Sequence, residues 1–434
     1  MALRLLHTSD WHLGVSTGPA SRLEDQRRFL TWLTARIEER EIDALLIAGD
    51  VFDTMHPGAE AQRLYFRFLA GLVGTGIQSV VVVGGNHDSA SRLDAPRALL
   101  EAVKVHVVGG VPPEEVGLER MIAPLYARNQ DDVAAVCLAV PYAHEYRLGI
   151  RTTDLDRDQT RKAFQERFAR LYTDLADLAE RRYPGVPMLC TGHLTVGTEV
   201  RRDDYPQEIH QVGTIEGLPK SIFDPRIRYA ALGHIHRCYP IADSVAWYSG
   251  TPIPYALSEM NARRRVLEVD LPDGSEAGEV VVDKVEVPRF RDLIQLEGAP
   301  SEVVTELQTL QWQTEAPPLV HVRVRTDFVE PNLSQRLHDA LSEHGEDRPI
   351  LVEVKQHLAH AAEATATAPA RSLEELQPAG VFELLCDHKK LTGESRDEVV
   401  SAFSSLLSAT SDDVEAMIQA IPLVTEATDR EADA

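Results

Sequence analysis

A chain of 434 residues is too long for one ordinary hydrophobic core, so two or three domains are expected. Its 44% hydrophobic and 26% charged residues suit a soluble globular protein and exclude a largely disordered one. The net charge of −24 argues against an autonomous nucleic-acid binder, because such binding neutralises phosphates with Lys and Arg; a nucleic-acid substrate would need local basic patches, bound cations or a partner.

The opening stretch reaches polar residues after two consecutive leucines, and no apolar run approaches the roughly 20 residues of a bilayer crossing, so neither a signal peptide nor a membrane anchor is expected. Leu3 to Asp10 reads as a first strand. Ser21 and Glu24 form a capping-box pattern ahead of Phe29, Leu33 and Ile37 at helical spacing. Asp43 to Asp50 is a second strand and 59–72 a helix. In that helix Leu64, Tyr65, Phe66, Phe68, Leu69 and Leu72 cover about 200° of the wheel, twice the stripe of an ordinary surface helix. Such a helix lies between the sheet and another element, or forms a subunit interface. Ser79 to Gly85 is a third strand, and strand-like runs recur at 134–142, 186–193, 228–236 and 245–250, with a long helix around Arg161 to Arg182. Near-continuous apolar strands alternating with helices predict an α/β fold whose sheet is covered on both faces.

From about Val280 to Leu358 the texture changes. Strand-like 280–287, helical 301–311, strand-like 319–326, helical 333–344 and strand-like 349–356 suggest a small β-α-β-α-β domain. Residues 360–372 read as an Ala/Thr-rich linker. A helix follows, opened by Ser395 and Glu398, with Val399, Phe403 and Leu406 on one face; too few apolar residues remain for a separate core, so docking on another surface is expected. From Ala361 onward 15 acidic residues face 5 basic ones, and the end is expected to be disordered. The expected organisation is therefore 1–275, 276–359, the linker 360–372, a helical segment 373–425 and a tail 426–434. Cys137, Cys190, Cys238 and Cys386 are isolated, which suggests neither a zinc knuckle nor a disulfide framework and fits a reducing cytoplasm.

Five polar clusters follow strand-like runs: Asp10 with His12, Asp50 with Asp53, Asn86 with His87 and Asp88, His193, and His234 with His236. In an α/β sheet, ligands gather at the carboxyl ends of strands. On this reading the valines of 80–83 position their cluster, and Gly84 and Gly85 let the backbone turn sharply beside it. Imidazoles, carboxylates and one amide carbonyl, without a thiolate, suit Mn²⁺, Fe²⁺ or Zn²⁺. The paired ligands at 10/12 and 234/236 would point to one side of extended backbone. Seven ligands exceed one tetrahedral ion and suffice for two, about 3.5–4 Å apart, sharing a bridging carboxylate. His7, Trp11 and His56, close to these ligands in sequence, read as packing or loop residues.

These motifs, D-x-H, G-D-x-x-D, G-N-H-D, G-H and G-H-x-H in that order, resemble the calcineurin-like metallophosphoesterase superfamily. LHTSDWHLG, AGDVFDT, GNHDS, TGHLT and ALGHIHR resemble, more narrowly, its SbcD family of bacterial nuclease subunits. The resemblance spans nearly the whole chain and is one of pattern in the C-terminal part. It implies an α/β four-layer β-sandwich flanked by helices, with a small α/β capping domain and a C-terminal helical tail. It implies Asp10, His12 and His236 on one divalent ion, Asn86, His193 and His234 on the other, Asp50 bridging, and Mn²⁺ as the metal. His87 would be the general acid, Asp53 its orienting partner, and Asp88 a support behind the ligands. Also implied are 3′→5′ exonuclease and endonuclease action on DNA ends and hairpins, a coiled-coil ATPase of the SbcC type bound by the C-terminal helices, and a homodimer within a heterotetramer. Arg92, Arg201, Arg202 and Arg237 follow motifs and could reach DNA phosphates. A phosphatase or cyclic-nucleotide phosphodiesterase with the same motifs, or a non-catalytic scaffold for the ATPase, remain the alternatives.

Overall fold

A computed structural model of the chain describes residues 3–113, 117–150, 156–197, 217–272, 278–327, 330 and 332–358, together with Cys386, Arg396 and Val399. β1 (Leu3–Thr8) leads to a hairpin of β2 (Ser16–Thr17) and β3 (Ala20–Ser21), then α1 (Leu23–Glu39), β4 (Ala44–Ala48), α2 (Ala59–Leu72), β5 (Ser79–Val83), the short α3 (Ala90–Asp94) and α4 (Arg97–Glu101), and β6 (Val105–Val108). After these come β7 (Ile122–Tyr126), β8 (Val133–Leu138), α5 (Arg157–Arg182), β9 (Met188–His193), β10 (Ile227–Gly233), β11 (Tyr239–Pro240), β12 (Ala246–Tyr248), β13 (Arg265–Leu271) and β14 (Val281–Glu286). They form two six-stranded sheets, ordered β14-β13-β1-β4-β5-β6 and β11-β12-β10-β9-β8-β7. β1, β4, β5 and β6 run parallel, as do β8, β9, β10 and β12.

Alternation along the strands explains why they are apolar throughout. Leu45, Ile47, Val80 and Val82 pack with Phe29, Leu33, Ile37, Tyr65, Phe68 and Leu69 of α1 and α2. Their neighbours Leu46, Val81 and Val83 face the second sheet, among Val136, Leu138 and Leu189. Phe168, Tyr172 and Leu175 of α5 join that second core, and the Tyr172 hydroxyl donates to the carbonyl of Thr191 at 2.9 Å. The layers are thus helix, sheet, sheet, helix. Each fully buried valine or leucine is worth roughly 1.5–3 kcal/mol, so both faces of β5 contribute.

Some local expectations are corrected. Ser21 and Glu24 form no capping box: Ser21 ends the hairpin, Arg22 holds the N-cap position, and Glu24 pairs with Arg27 at 2.6 Å and Arg28 at 3.0 Å. The guanidinium partners outcompete the backbone for that carboxylate. A true capping box opens α5, where Asp156 accepts from the Gln159 amide at 2.8 Å. On α2 the sheet and α1 cover Tyr65, Phe68, Leu69 and Leu72, while Phe66 stays 38% exposed.

A third sheet is built from β15 (Arg291–Gly298), α6 (Pro300–Gln308), β16 (Ala316–Thr326), α7 (Leu333–Ser342) and β17 (Ile350–Leu358), its three strands parallel. Its first strand is not the expected 280–287 run. That run is β14, an edge strand of the first sheet, where Val285 pairs with Val266 and Val281 stays 51% exposed. Residues 1–358 form one compact unit, and 359–434 separate from it as another. The expected linker, Ser395, Glu398, Phe403, Leu406 and the acidic end lie outside the described residues. No helix among the described residues is long and apolar enough to cross a membrane.

Candidate metal centre

Every predicted ligand sits at or just beyond the C-terminal end of a parallel strand: Asp10 and His12 after β1, Asp50 after β4, Asn86 after β5, His193 as the last residue of β9, and His234 and His236 after β10. Parallel strands deliver their following loops to one end. Stacking of the two sheets then brings both sets of loops together. The 10–13 segment is laid along 49–51 by main-chain bonds, Asp10 N to Gly49 O at 3.0 Å, His12 N to Asp50 O at 3.0 Å and Leu13 N to Val51 O at 2.9 Å.

The local backbone departs from the extended geometry expected of D-x-H and H-x-H. Asp10, His12, Asp50 and His234 have φ of 52°, 44°, 48° and 92°. Left-handed turns, sparsely populated for residues with a Cβ, aim these side chains. Gly85 is needed for room rather than for a turn: a Cβ there would lie 2.1 Å from Oδ1 of Asp50.

Three overlapping groups result, Asp10–His12–His236, Asp10–Asp50–His193 and His12–Asp53–His87, each with ligand atoms within 4.8 Å of one another. His12 Nε2 lies 3.2 Å from His236 Nε2 and 3.6 Å from Asp50 Oδ2. His193 Nε2 lies 3.2 Å from Asp50 Oδ2 and 3.0 Å from Asn86 Oδ1, which is also 3.0 Å from His234 Nδ1. The tautomers of two rings follow from their far sides. His236 Nδ1 donates to Glu259 at 2.9 Å, and His193 Nδ1 donates to the carbonyl of Ala48 at 2.8 Å. Their Nε2 lone pairs therefore face the cluster. Carboxylates, ring nitrogens and an amide oxygen converging in this way form a donor set that fits divalent cations.

The electrostatics agree. Burial opposes charge on His12, yet the hydrogen bond it donates to the Asp53 carboxylate and the charges of Asp50 and Asp10 raise it to about 9. His193 is raised to about 9 against its own burial, chiefly by Asp50. Burial and the charge on His193 lower His234 to about 3. Burial would raise Asp50, but His193 and His12 hold it well below the carboxylate range. Without cations, the carboxylates thus favour a proton on His12 and on His193 but not on His234.

The remaining predicted residues divide. His87 Nδ1 donates at 2.7 Å to the main-chain carbonyl of Asp53, not to its carboxylate, which lies 3.4 Å from His12 Nδ1. Asp53 thus holds His87 through its backbone carbonyl and not through its carboxylate. Asp88 accepts from the amides of Val51, Phe52 and Gly85 at 2.9–3.0 Å, tying the Asp50 loop to the Asn86 loop; burial and the Asp50 charge raise it to about 6. Arg92 is exposed on α3, Arg237 is exposed beside His236, and Arg201 and Arg202 lie outside the described residues. Trp11 packs edge-on to Phe29 and Phe68, as expected, and His7 bonds the Tyr229 hydroxyl at 2.9 Å.

Three residues were missed. Glu259 grips His236, Ser9 donates to the Asp10 carboxylate, and Gln26 donates to the carbonyls of Trp11 and His12 at 3.1 and 2.7 Å. Only Ser9 adjoins a motif. Glu259 and Gln26 carry no signal in sequence because their partners are 23 and 14 residues away.

Comparison with known proteins accords with this architecture. The calcineurin-like phosphoesterase family matches residues 3–238, and the type 5 capsule protein repressor C-terminal domain matches residues 289–390. The SbcD subunit of the SbcCD nuclease of Rhodobacter capsulatus is 31% identical over 346 residues, 78% of this chain and 84% of that protein. The protein of that name from Escherichia coli K12 is 29% identical over 408 residues, 91% and 94% of the two chains. The one from Bacillus subtilis is 33% identical over 289 residues, 63% and 68%. A cluster of metal-binding groups at the meeting of two sheets and these matches together place the chain in the calcineurin-like phosphoesterase family of metal-dependent hydrolases, within the group of SbcD subunits of SbcCD nucleases.

Proposed function

We propose that the chain is the two-metal nuclease subunit of a complex with a coiled-coil ATPase, acting in the cytoplasm on DNA ends and hairpins in break repair and recombination. Its activities are 3′→5′ exonuclease on duplex DNA and endonuclease on single strands. Asp10, His12 and His236 would hold one divalent cation and Asn86, His193 and His234 the other, with Asp50 between the two groups and Mn²⁺ as the metal. Such cations neutralise charge on phosphoryl oxygens and make water acidic enough to act as nucleophile. Glu259 and the Ala48 carbonyl keep the His236 and His193 rings in ligand orientation. His87, anchored by the Asp53 carbonyl, gives a proton to the departing 3′ oxygen. The C-terminal helices bind the ATPase, which supplies the positive field that a chain of net charge −24 lacks, and two copies of the chain pair within the complex.

The observation that carries this reading is the sharing of Asp10 and His12 among the three groups of side chains able to hold a metal ion. The test is Mn²⁺ loading followed by anomalous scattering and a comparison of substrates. Two peaks at the named ligands and preference for a DNA end over 4-nitrophenyl phosphate are expected. One peak, or preference for the monoester, would overturn it.

A further inference from the structure

A cleft of about 220 Å³ opens beside His236, lined by Arg237, Arg263, Arg264, Arg265, Ser249 and Thr251, among others. Four arginines around one hollow stand out in a chain of net charge −24. Gly250 makes the hollow possible. With φ of 74°, it lets the 249–251 turn approach the 236–238 segment so closely that a Cβ would lie 2.9 Å from the His236 carbonyl oxygen.

Arg264 is 8% exposed and braced at two corners: Nη1 donates to the His236 carbonyl at 2.8 Å and Nη2 to the Glu259 carbonyl at 2.9 Å. Its Nε is buried and has no hydrogen-bond partner among the described residues. A buried guanidinium donor left unsatisfied calls for an acceptor. Arg263 is 72% exposed, and its ion pair with Glu286 at 3.5 Å is open to water and easily exchanged. The hydroxyls are already engaged. Thr251 donates to the Ile253 carbonyl at 3.0 Å, and Ser249 lies 2.7 Å from Ser9, which donates to Asp10. The exchangeable guanidinium of Arg263 and the open Nε of Arg264 are therefore the donors that would first receive a ligand, and planar guanidinium forks match phosphate oxygens.

We propose that this cleft is a phosphate subsite, in which Arg263, Arg264 and Arg265, with Arg237, hold the oxyanion of a strand phosphate next to the bond that is cut. The assignment rests on the nuclease reading above. His236 is a wall of the cleft and Ser249 connects it through Ser9 to Asp10, so a phosphate seated there shares its boundary with the metal centre. The subsite gives an acidic chain a local grip on a polyanion and registers the strand against the ligands.

The test uses the full chain with Mn²⁺, R263Q and R263Q/R265Q, and two substrates, a DNA duplex end and bis(4-nitrophenyl) phosphate, whose single phosphate cannot reach both places. The ratio of kcat/KM for DNA to that for the small diester should fall about tenfold or more in the double variant, and the salt dependence for DNA should become shallower by about one unit of slope per lost contact. R263Q alters a mostly exposed side chain, so it keeps the test valid should the double variant fold poorly, and it should show a smaller fall. An unchanged ratio overturns the subsite, whether both rates hold or both decline together. A wild type that cleaves neither substrate overturns the nuclease reading and the subsite with it. A free nucleoside monophosphate offers the same oxyanion. If 2′-deoxyadenosine 5′-monophosphate modulates diester hydrolysis in wild type but not in R263Q/R265Q, while the DNA ratio is unchanged, the strand assignment is wrong.

Discussion

The Glu259 carboxylate accepts the Nδ1 proton of His236 at 2.9 Å from inside a short turn that no motif marks. Burial would raise this carboxyl, but the bond to His236 and the charge of Arg264 hold it at about 2, so it is ionised at any working pH. It fixes the tautomer that leaves His236 Nε2 open to a cation.

Glu259→Ala should therefore weaken divalent-cation binding about 10–100-fold, and Glu259→Gln, which keeps an acceptor but no charge, by less. Isothermal titration with Mn²⁺ measures both. Equal affinities in all three proteins would mean that Glu259 serves packing alone.

His87→Ala should separate chemistry from metal binding. Two cations per chain should remain by elemental analysis, while turnover on a DNA end drops about 10²–10⁴-fold. Undiminished turnover with metals in place would remove His87 from the reaction.

Cation binding should expel protons. In the metal-free site His12 and His193 stand at about 9 rather than the ordinary 6.5, so both are protonated at neutrality. Affinity should rise with pH up to about 9, with on the order of two protons released per loaded site near neutrality. Their raised values stabilise the metal-free fold fully below pH 6.5, and that contribution is lost as pH climbs through about 9. Melting of the metal-free protein should accordingly decline across this window, and melting of the loaded protein should not. Affinity independent of pH would contradict the cause.

Gly85→Ala should disturb Asp50, since the added Cβ would lie 2.1 Å from its Oδ1 and 2.3 Å from its amide nitrogen. Loss of at least one cation per chain, with an unchanged far-ultraviolet dichroism spectrum, is expected. Full occupancy would show that the loop yields at little cost.

The fold was largely legible because both faces of its strands are covered. The alternation of Val80 and Val82 toward the helices with Val81 and Val83 toward the second sheet leaves a continuous apolar run, and such runs end where the ligand motifs begin. Edge strands were harder. β14 exposes Val281 on the rim of the first sheet, so its sequence resembles any short strand and gives no sign of which sheet it joins. The helix start at Leu23 was misplaced for a similar reason: Ser21 and Glu24 fit a capping pattern, but nearby arginines bind the carboxylate first.

The sequence by itself determined which imidazoles, carboxylates and amide stand just beyond the strands, because each motif is local and directly follows a strand of recognisable periodicity. Only the tertiary structure decided that Asp10 and His12 are aimed by left-handed turns, that Asp53 holds His87 through its carbonyl, and that Glu259 and four arginines border His236. Those relations join residues from separate loops, and a hydrogen bond across folded space leaves no periodicity along the chain.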